Sequence, residues 1–335
     1  MAGLYEADFV ARLGRGVESL LDGWGVSAGS RVELLTVSEN ATFRVIDSGA
    51  ERDIVVRVHR PGYHTREEIA SELAWITALR ADGIVTTPEP IPHEDGQPIA
   101  SFDDGGERRD AVAFGFVPGH EPRAGNALAD GFRTLGAISA RLHRHARAWR
   151  RPAGFVRKIW NIDTIVGAHP HWGPWQDAIA LRPADHGVLT RAVNTLTTRL
   201  HDYGTDSERF GLIHADLRLA NLLVSGQDLT VIDFDDCGFG WYGFDFAAAI
   251  SFIEEEPFVP GLLAAWIDGY GRVSTLSDDD RAMIPTLVML RRIQLTAWLA
   301  SHAETPTARE IGDSYTAGTV RLAQRFIDGE LPYGT

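Results

Sequence analysis

The chain has 335 residues, 44% of them apolar and 23% charged, with a formal net charge of −14 at pH 7. That length exceeds one compact core of modal size and suits two lobes with a cleft between them, while the acidic balance argues against a nucleic-acid partner, which needs clustered Lys and Arg. One cysteine, Cys237, excludes an intrachain disulfide and a multi-Cys metal site, and with no basic apolar leader or long apolar run the expectation is a soluble, cytoplasmic protein without a membrane partner.

Phe9, Leu13, Val17, Leu20, Leu21 and Trp24 recur at helical spacing and predict a helix over 5–24. Strands follow at 32–37, 41–46 and 53–58, the first two joined by Ser38, Glu39 and Asn40. This turn has no glycine. Its backbone N–H groups or the Ser38 hydroxyl offer contacts to a phosphate, although a plain hairpin turn explains it equally well. On the third strand Arg57 alternates with Ile54, Val56 and Val58 and so faces away from them. Residues 65–81 form a predicted helix with Ile69, Leu73, Ile76 and Leu79 on one face, capped by Thr65 with Glu68 as reciprocal partner.

Two more strands are expected at 98–102 and 111–117, then a helix over 128–149 through Phe132, Leu135, Ile138 and Leu142. His143 and His145 point to different sides of that helix, which favours packing over metal binding. Trp160, His169, His171, Trp172 and Trp175 crowd the irregular stretch 155–175. A satellite apolar cluster and a wall of the substrate pocket account for it equally. Another amphipathic helix, 189–203, leads to the most informative segment.

Residues 211–240 contain His214, Asp216, Asn221 and Asp233. The interval from Asp216 to Asn221 is that of a kinase catalytic loop, in which the Asp takes the acceptor's proton and the Asn binds metal. Leu222–Val224 and Leu229–Ile232 read as strands joined by a turn over 225–228, a hairpin expected to bring Asp233 back beside Asn221. Two oxygen-donor side chains so placed suit a divalent cation. Helices at 244–255, 262–270, 279–303 and 307–327 complete the chain, with Glu254, Glu255 and Glu256 as an acidic run read chiefly as a solvated face.

His-x-Asp-x-x-x-x-Asn followed by a hairpin and Ile-Asp-Phe-Asp resembles the aminoglycoside phosphotransferase and choline kinase family, most specifically over 212–246 and more weakly over 34–142. The resemblance implies an α+β, bilobal protein-kinase-like fold: a small antiparallel-sheet N-lobe over 1–119, ending in a hinge, and a larger, mainly helical C-lobe over 120–335 carrying catalytic loop, metal site and acceptor pocket. It implies ATP and Mg²⁺ as cofactors, Asp216 as the catalytic residue and Asn221 and Asp233 as the metal ligands. Nucleotide contacts fall on Ser38 and Asn40, on Arg57 where the family carries Lys, on its acidic partner Glu72 in preference to Glu68, and on Phe116 and Val117 of the hinge. Asp245 matches a residue that holds the catalytic loop. Ala215 stands where the family has Gly, which disfavours a positive φ there.

The function implied is phosphorylation of a hydroxyl on a small molecule: an aminoglycoside, amino alcohol, hydroxylated amino acid or sugar. The acidity around Asp235, Asp236 and Glu254–Glu256 further points to a cationic acceptor. A bacterial stress-response-type Ser/Thr protein kinase and a nucleotide-binding pseudokinase are the alternatives, the latter supported only by Arg57 and Ala215.

Overall fold

The computed structural model describes residues 7–27, 29–37, 40–49, 53–122, 128–226, 228–331 and 333. The chain has the α+β, kinase-like architecture expected, and it divides into two compact units.

The first unit comprises Met1–His120, Arg151–Arg157 and Leu223–Asp235. It is built on an antiparallel sheet in the order β1 (Arg31–Val37), β2 (Ala41–Ile46), β3 (Ile54–Val58), β6 (Glu107–Gly115) and β4 (Pro90–Ile91), with β5 (Ala100–Asp104) also paired to β6. Phe43, Val45, Ile54, Val56 and Val58 face one way and meet Leu13, Val17 and Leu21 in a buried cluster, the period-2 alternation of strands meeting the 3.6-residue period of a helix. Helix α1 (Ala7–Glu18) is shorter than its apolar pattern, because Leu21–Trp24 tighten into a 3-10 turn that Gly25 ends at φ 69°. A left-handed glycine of this kind stops a helix at little steric cost. Helix α2 (Arg66–Ala81) starts at Thr65 with both bonds of the anticipated capping box to Glu68.

The β5–β6 hairpin turns through Gly105 and Gly106, both at positive φ (70° and 93°), as a two-residue turn matched to strand twist requires. Strand β6 therefore begins in a charged tip, Glu107–Arg109, earlier than its apolar run indicates, and it stops at Gly115. The segment 223–235 contributes the hairpin of β8 (Leu222–Ser225) and β9 (Asp228–Val231), with the Val231 N–H donating to the Thr86 carbonyl at 2.9 Å.

The second unit comprises Glu121–Arg150, Lys158–Leu222 and Asp236–Thr335. Its helices are α3 (Leu128–Ala148), the single turn α4 (Ile162–Ile165), α5 (His186–Tyr203), α6 (Phe244–Ala249), α7 (Val259–Gly271), α8 (Asp278–Ser301) and α9 (Pro306–Asp328). Helices α3 and α7 approach closely because two glycines lie at their contact. A Cβ on Gly136 would sit 2.0 Å from the Trp266 carbonyl oxygen, and one on Gly269 would sit 1.8 Å from that of Arg133. Strands β7 (Phe210–Ile213) and β10 (Gly238–Trp241) form an antiparallel pair that was not anticipated, being only four residues each and carrying Gly211, Gly238 and Gly240. Among the described residues no helix is long and apolar enough to cross a membrane.

Candidate active site

In the helical unit, β7 delivers the chain into the loop 214–221. The pairing of Ile213 with Gly238 fixes where that loop begins. Asp245, fully buried near the start of α6, holds the loop by its backbone: its Oδ1 accepts from the Ala215 N–H at 2.8 Å and its Oδ2 from the His214 N–H at 3.4 Å. Asp245 Oδ2 also lies 2.8 Å from Nε2 of buried His143, whose Nδ1 is 3.0 Å from the Tyr270 hydroxyl. Burial pushes the His143 pKa down, and the bond to Asp245 opposes this without reversing it.

Ala215 corrects the expectation drawn from its side chain, because it takes φ 66°. Two bonded backbone N–H groups in succession force the turn, and the alanine carries the strain. Left-handed alanine costs ~1–2 kcal/mol, while glycine loses about 0.5–1 kcal/mol through its freer unfolded chain. Ala215→Gly is therefore expected to raise stability by roughly 0.5–1 kcal/mol. Urea unfolding checks this, and an unchanged or lower midpoint would count against it.

Asp216 follows at once and is half-buried. Its Oδ1 accepts from Arg291 Nη2 at 2.6 Å, and its Oδ2 accepts from Asn221 Nδ2 at 2.7 Å and Arg218 Nε at 3.1 Å. Burial pushes the carboxyl upward, but the guanidinium groups of Arg218 and Arg291 outweigh it and hold the pKa below the ordinary carboxylate value. The Asn221 Nδ2 donates to the Asp216 carbonyl as well, at 2.8 Å. Its Oδ1 accepts no hydrogen bond among the described residues, so a hard oxygen donor remains for a cation.

Sequence reasoning missed Arg291. The signal was present in Leu290-Arg291-Arg292-Ile293, two charges in the middle of an apolar helical stretch, and both prove buried.

In the sheet unit, Arg57 is 6% exposed rather than solvent-facing, and its Nη2 donates to both Glu72 oxygens at 2.8 and 2.6 Å. Glu72, not Glu68, is thus its partner; Glu68 serves the capping box. Arg57 Nη1 lies 3.4 Å from Asp233 Oδ1, and Nη2 lies 3.6 Å from Asp235 Oδ1. Asp233 is exposed and takes φ 60°. Asn40 is buried, donates to Asp235 Oδ2 at 2.8 Å and accepts from the Arg60 N–H at 3.1 Å. Ser38 lies outside the described residues. At the end of β6 the Phe116 N–H donates to the Asp53 carbonyl at 3.0 Å, and the Arg44 guanidinium sits 4.0 Å from the Phe116 ring centre. The backbone of Val117 makes no backbone hydrogen bond among the described residues.

The acidic run is a solvated face only in part: Glu255 and Glu256 are exposed, and Glu254 is not. Helix α6 ends at Ala249, and Glu254 is 1% exposed, bonded by Arg292 Nη1 at 2.6 Å and the Tyr315 hydroxyl at 2.9 Å. Arg292 and Arg321 both reach Glu255. Glu254 and Glu255 already have cationic partners, so they lend no support to a cationic acceptor. Trp160, Trp172 and Trp175 are buried, and the Trp160 and Trp172 ring centres lie 5.4 Å apart.

A sequence model described as the phosphotransferase enzyme family matches residues 32–283. The chain belongs to this family. Within the phosphotransferase enzyme family, the solved structure of a microcompartment-associated aminopropanol kinase is similar at 43% identity and a TM-score of 0.87, covering 94% of this chain and 98% of that one. An amicoumacin kinase solved with AMP-PNP, Ca²⁺ and Ami shares the fold at 20% identity and a TM-score of 0.77, covering 98% and 95% of the two chains. Homoserine kinase of Bradyrhizobium diazoefficiens is 27% identical over 224 residues, which are 64% of this chain and 62% of that one. Among curated relatives the matched stretch spans from 61% to 85% of the relative's own length.

Proposed function

We propose that the protein is an ATP- and divalent-cation-dependent kinase that phosphorylates the hydroxyl of a small amino alcohol. The likeness to the aminopropanol kinase, 43% identical over nearly the whole of both chains, carries this reading. In this role Asp216 accepts a hydrogen bond from the acceptor hydroxyl, orients it and takes its proton. Asn221 and Asp233 supply amide and carboxylate oxygens, a donor set that suits Mg²⁺. The cation, when bound, neutralises charge on the phosphates. Arg57, fixed by Glu72, faces the nucleotide's phosphates, and the backbone at Phe116 and Val117 meets the adenine edge. An amino alcohol is cationic at neutral pH, so the acceptor's expected charge stands on the relative rather than on the acidic run.

Steady-state kinetics on aminopropanol, its N-acetyl form and a neutral polyol test the reading. Aminopropanol is expected to give the highest kcat/KM, and equal rates on all three would sink the amino-alcohol assignment. Asp233→Ala is expected to remove the Mg²⁺-dependent part of nucleotide binding, since it deletes a charged ligand. Calorimetry with Mg²⁺ and a non-hydrolysable ATP analogue measures this, and an unchanged affinity would take Asp233 out of the metal site.

A further inference from the structure

Three donors hold the Asp216 carboxylate, and one comes from far along the chain. Arg218 Nε and Asn221 Nδ2 both donate to Oδ2, at 3.1 and 2.7 Å, whereas Oδ1 accepts from Arg291 Nη2 alone among the described residues, at 2.6 Å. Each oxygen of an ionised carboxylate offers about two acceptor positions. Oδ2 is therefore filled, and Oδ1 keeps one position open. A hydroxyl that approaches this carboxylate meets Oδ1, the oxygen that Arg291 grips.

We infer that Arg291 is a positioning residue for phosphoryl transfer, fixing Asp216 so that the remaining lone pair of Oδ1 faces the incoming hydroxyl. The acceptor oxygen forms the new bond to phosphorus, its proton passes to Asp216 Oδ1, and the bond from phosphorus to the leaving ADP oxygen breaks. This assignment rests on Asp216 being the carboxylate that orients the acceptor.

Arg291 is itself immobilised, which a positioning residue requires. It is 2% exposed on α8; its Nε donates to Ser251 Oγ at 3.2 Å and its Nη1 to Gln294 Oε1 at 3.1 Å. The Trp172 and Phe244 ring centres lie 5.4 and 5.8 Å from its guanidinium carbon. Three nitrogens of one rigid plane thus have three separate partners, and a misplaced Nη2 would disturb the other two. An ammonium at this position would keep the charge and lose the fork. The buried Trp172 of the aromatic insertion gains a role here, as a wall against which Arg291 lies.

The test compares Arg291→Gln, Arg291→Lys and Arg291→Ala in the full chain, measuring ATP turnover with water as the sole acceptor and with aminopropanol, nucleotide affinity, and melting temperature. Arg291→Gln is expected to lose ~10²-fold in kcat with either acceptor, a loss typical of a misplaced proton acceptor, while KM for ATP stays within about 2-fold. Arg291→Lys should retain roughly 10-fold more turnover than Arg291→Gln, and methylguanidinium added to Arg291→Ala should restore at least about 10-fold. A merely structural ion pair would instead lower melting temperature, turnover and nucleotide affinity together, with no recovery by methylguanidinium. That pattern, or Arg291→Gln turning over within a few-fold of the parent, would overturn the assignment. Water as acceptor keeps the two readings apart: a parent protein that hydrolyses ATP but ignores aminopropanol loses the substrate assignment and leaves the Arg291 comparison intact.

Discussion

Asp216→Asn is expected to lower turnover by ~10²-fold or more while the nucleotide still binds. An amide of the same shape has one oxygen where the carboxylate has two. Arg291 holds Oδ1, and Asn221 with Arg218 holds Oδ2, so whichever way the amide turns, its NH₂ faces a donor. The proton acceptor is lost, and Arg291, 2% exposed, loses its counter-ion. Removing one partner of a buried pair costs about 3–5 kcal/mol, and a lower melting temperature should therefore accompany the loss of turnover. Nucleotide titration separates the effects: retained affinity with lost turnover places the defect on the acceptor side. Activity within a few-fold of the parent would remove Asp216 from the role.

This pair of residues also marks how far the sequence could be read. The spacing from Asp216 to Asn221 lies within one loop, and so does the local bond between their side chains, so a linear pattern contains it. The capping box of Thr65 and Glu68 is legible for the same reason. Arg291 is 75 positions from Asp216 and His143 is 102 from Asp245, and no periodicity encodes such distances. Their burial was foreshadowed only by charge within apolar helical stretches. The φ of Ala215 was misread because side-chain preference is a weak force beside two backbone bonds to a buried carboxylate. Strands β7 and β10 were missed because glycine, the residue that lets the Lys158–Trp160 segment lie close, also erases the strand signal: a Cβ on Gly238 would meet the Lys158 carbonyl oxygen at 2.5 Å.

The acidic run at Glu254 shows the reverse error, in which a correct observation of charge placed the buried Glu254 on a solvated face that only Glu255 and Glu256 share. Three consecutive glutamates after an apolar helix look alike until partners are known, and the partners of two of them, Arg292 and Arg321 on α8 and α9, lie 38 and 66 positions away from Glu254 and Glu255 respectively. Net charge counts carboxylates whether or not a guanidinium already faces them. Selection of a cationic acceptor has to rest on groups that remain available, which composition cannot identify.

Glu72→Gln should give the largest loss of stability in the sheet unit. Glu72 is fully buried, Arg57 is 6% exposed, and both carboxylate oxygens receive the same Nη2 of Arg57. The amide keeps one neutral acceptor and turns an NH₂ toward the guanidinium, leaving a buried cation whose only carboxylate contacts among the described residues are the longer ones to Asp233 at 3.4 Å and Asp235 at 3.6 Å. A cost of about 3–5 kcal/mol is expected for breaking such a pair, equivalent to roughly 6–20 °C in melting temperature at about 2–4 °C per kcal/mol for a domain of this size. Arg57→Lys, which installs the residue the family resemblance leads one to expect, keeps the charge balance and should cost less than Glu72→Gln. It forfeits the planar fork, because an ammonium is a compact point charge. Urea unfolding of the two variants sets the order. If Glu72→Gln unfolds within about 1 kcal/mol of the parent, the pair is not under the desolvation that its burial implies, and the fixing of Arg57 by Glu72 would have to be abandoned.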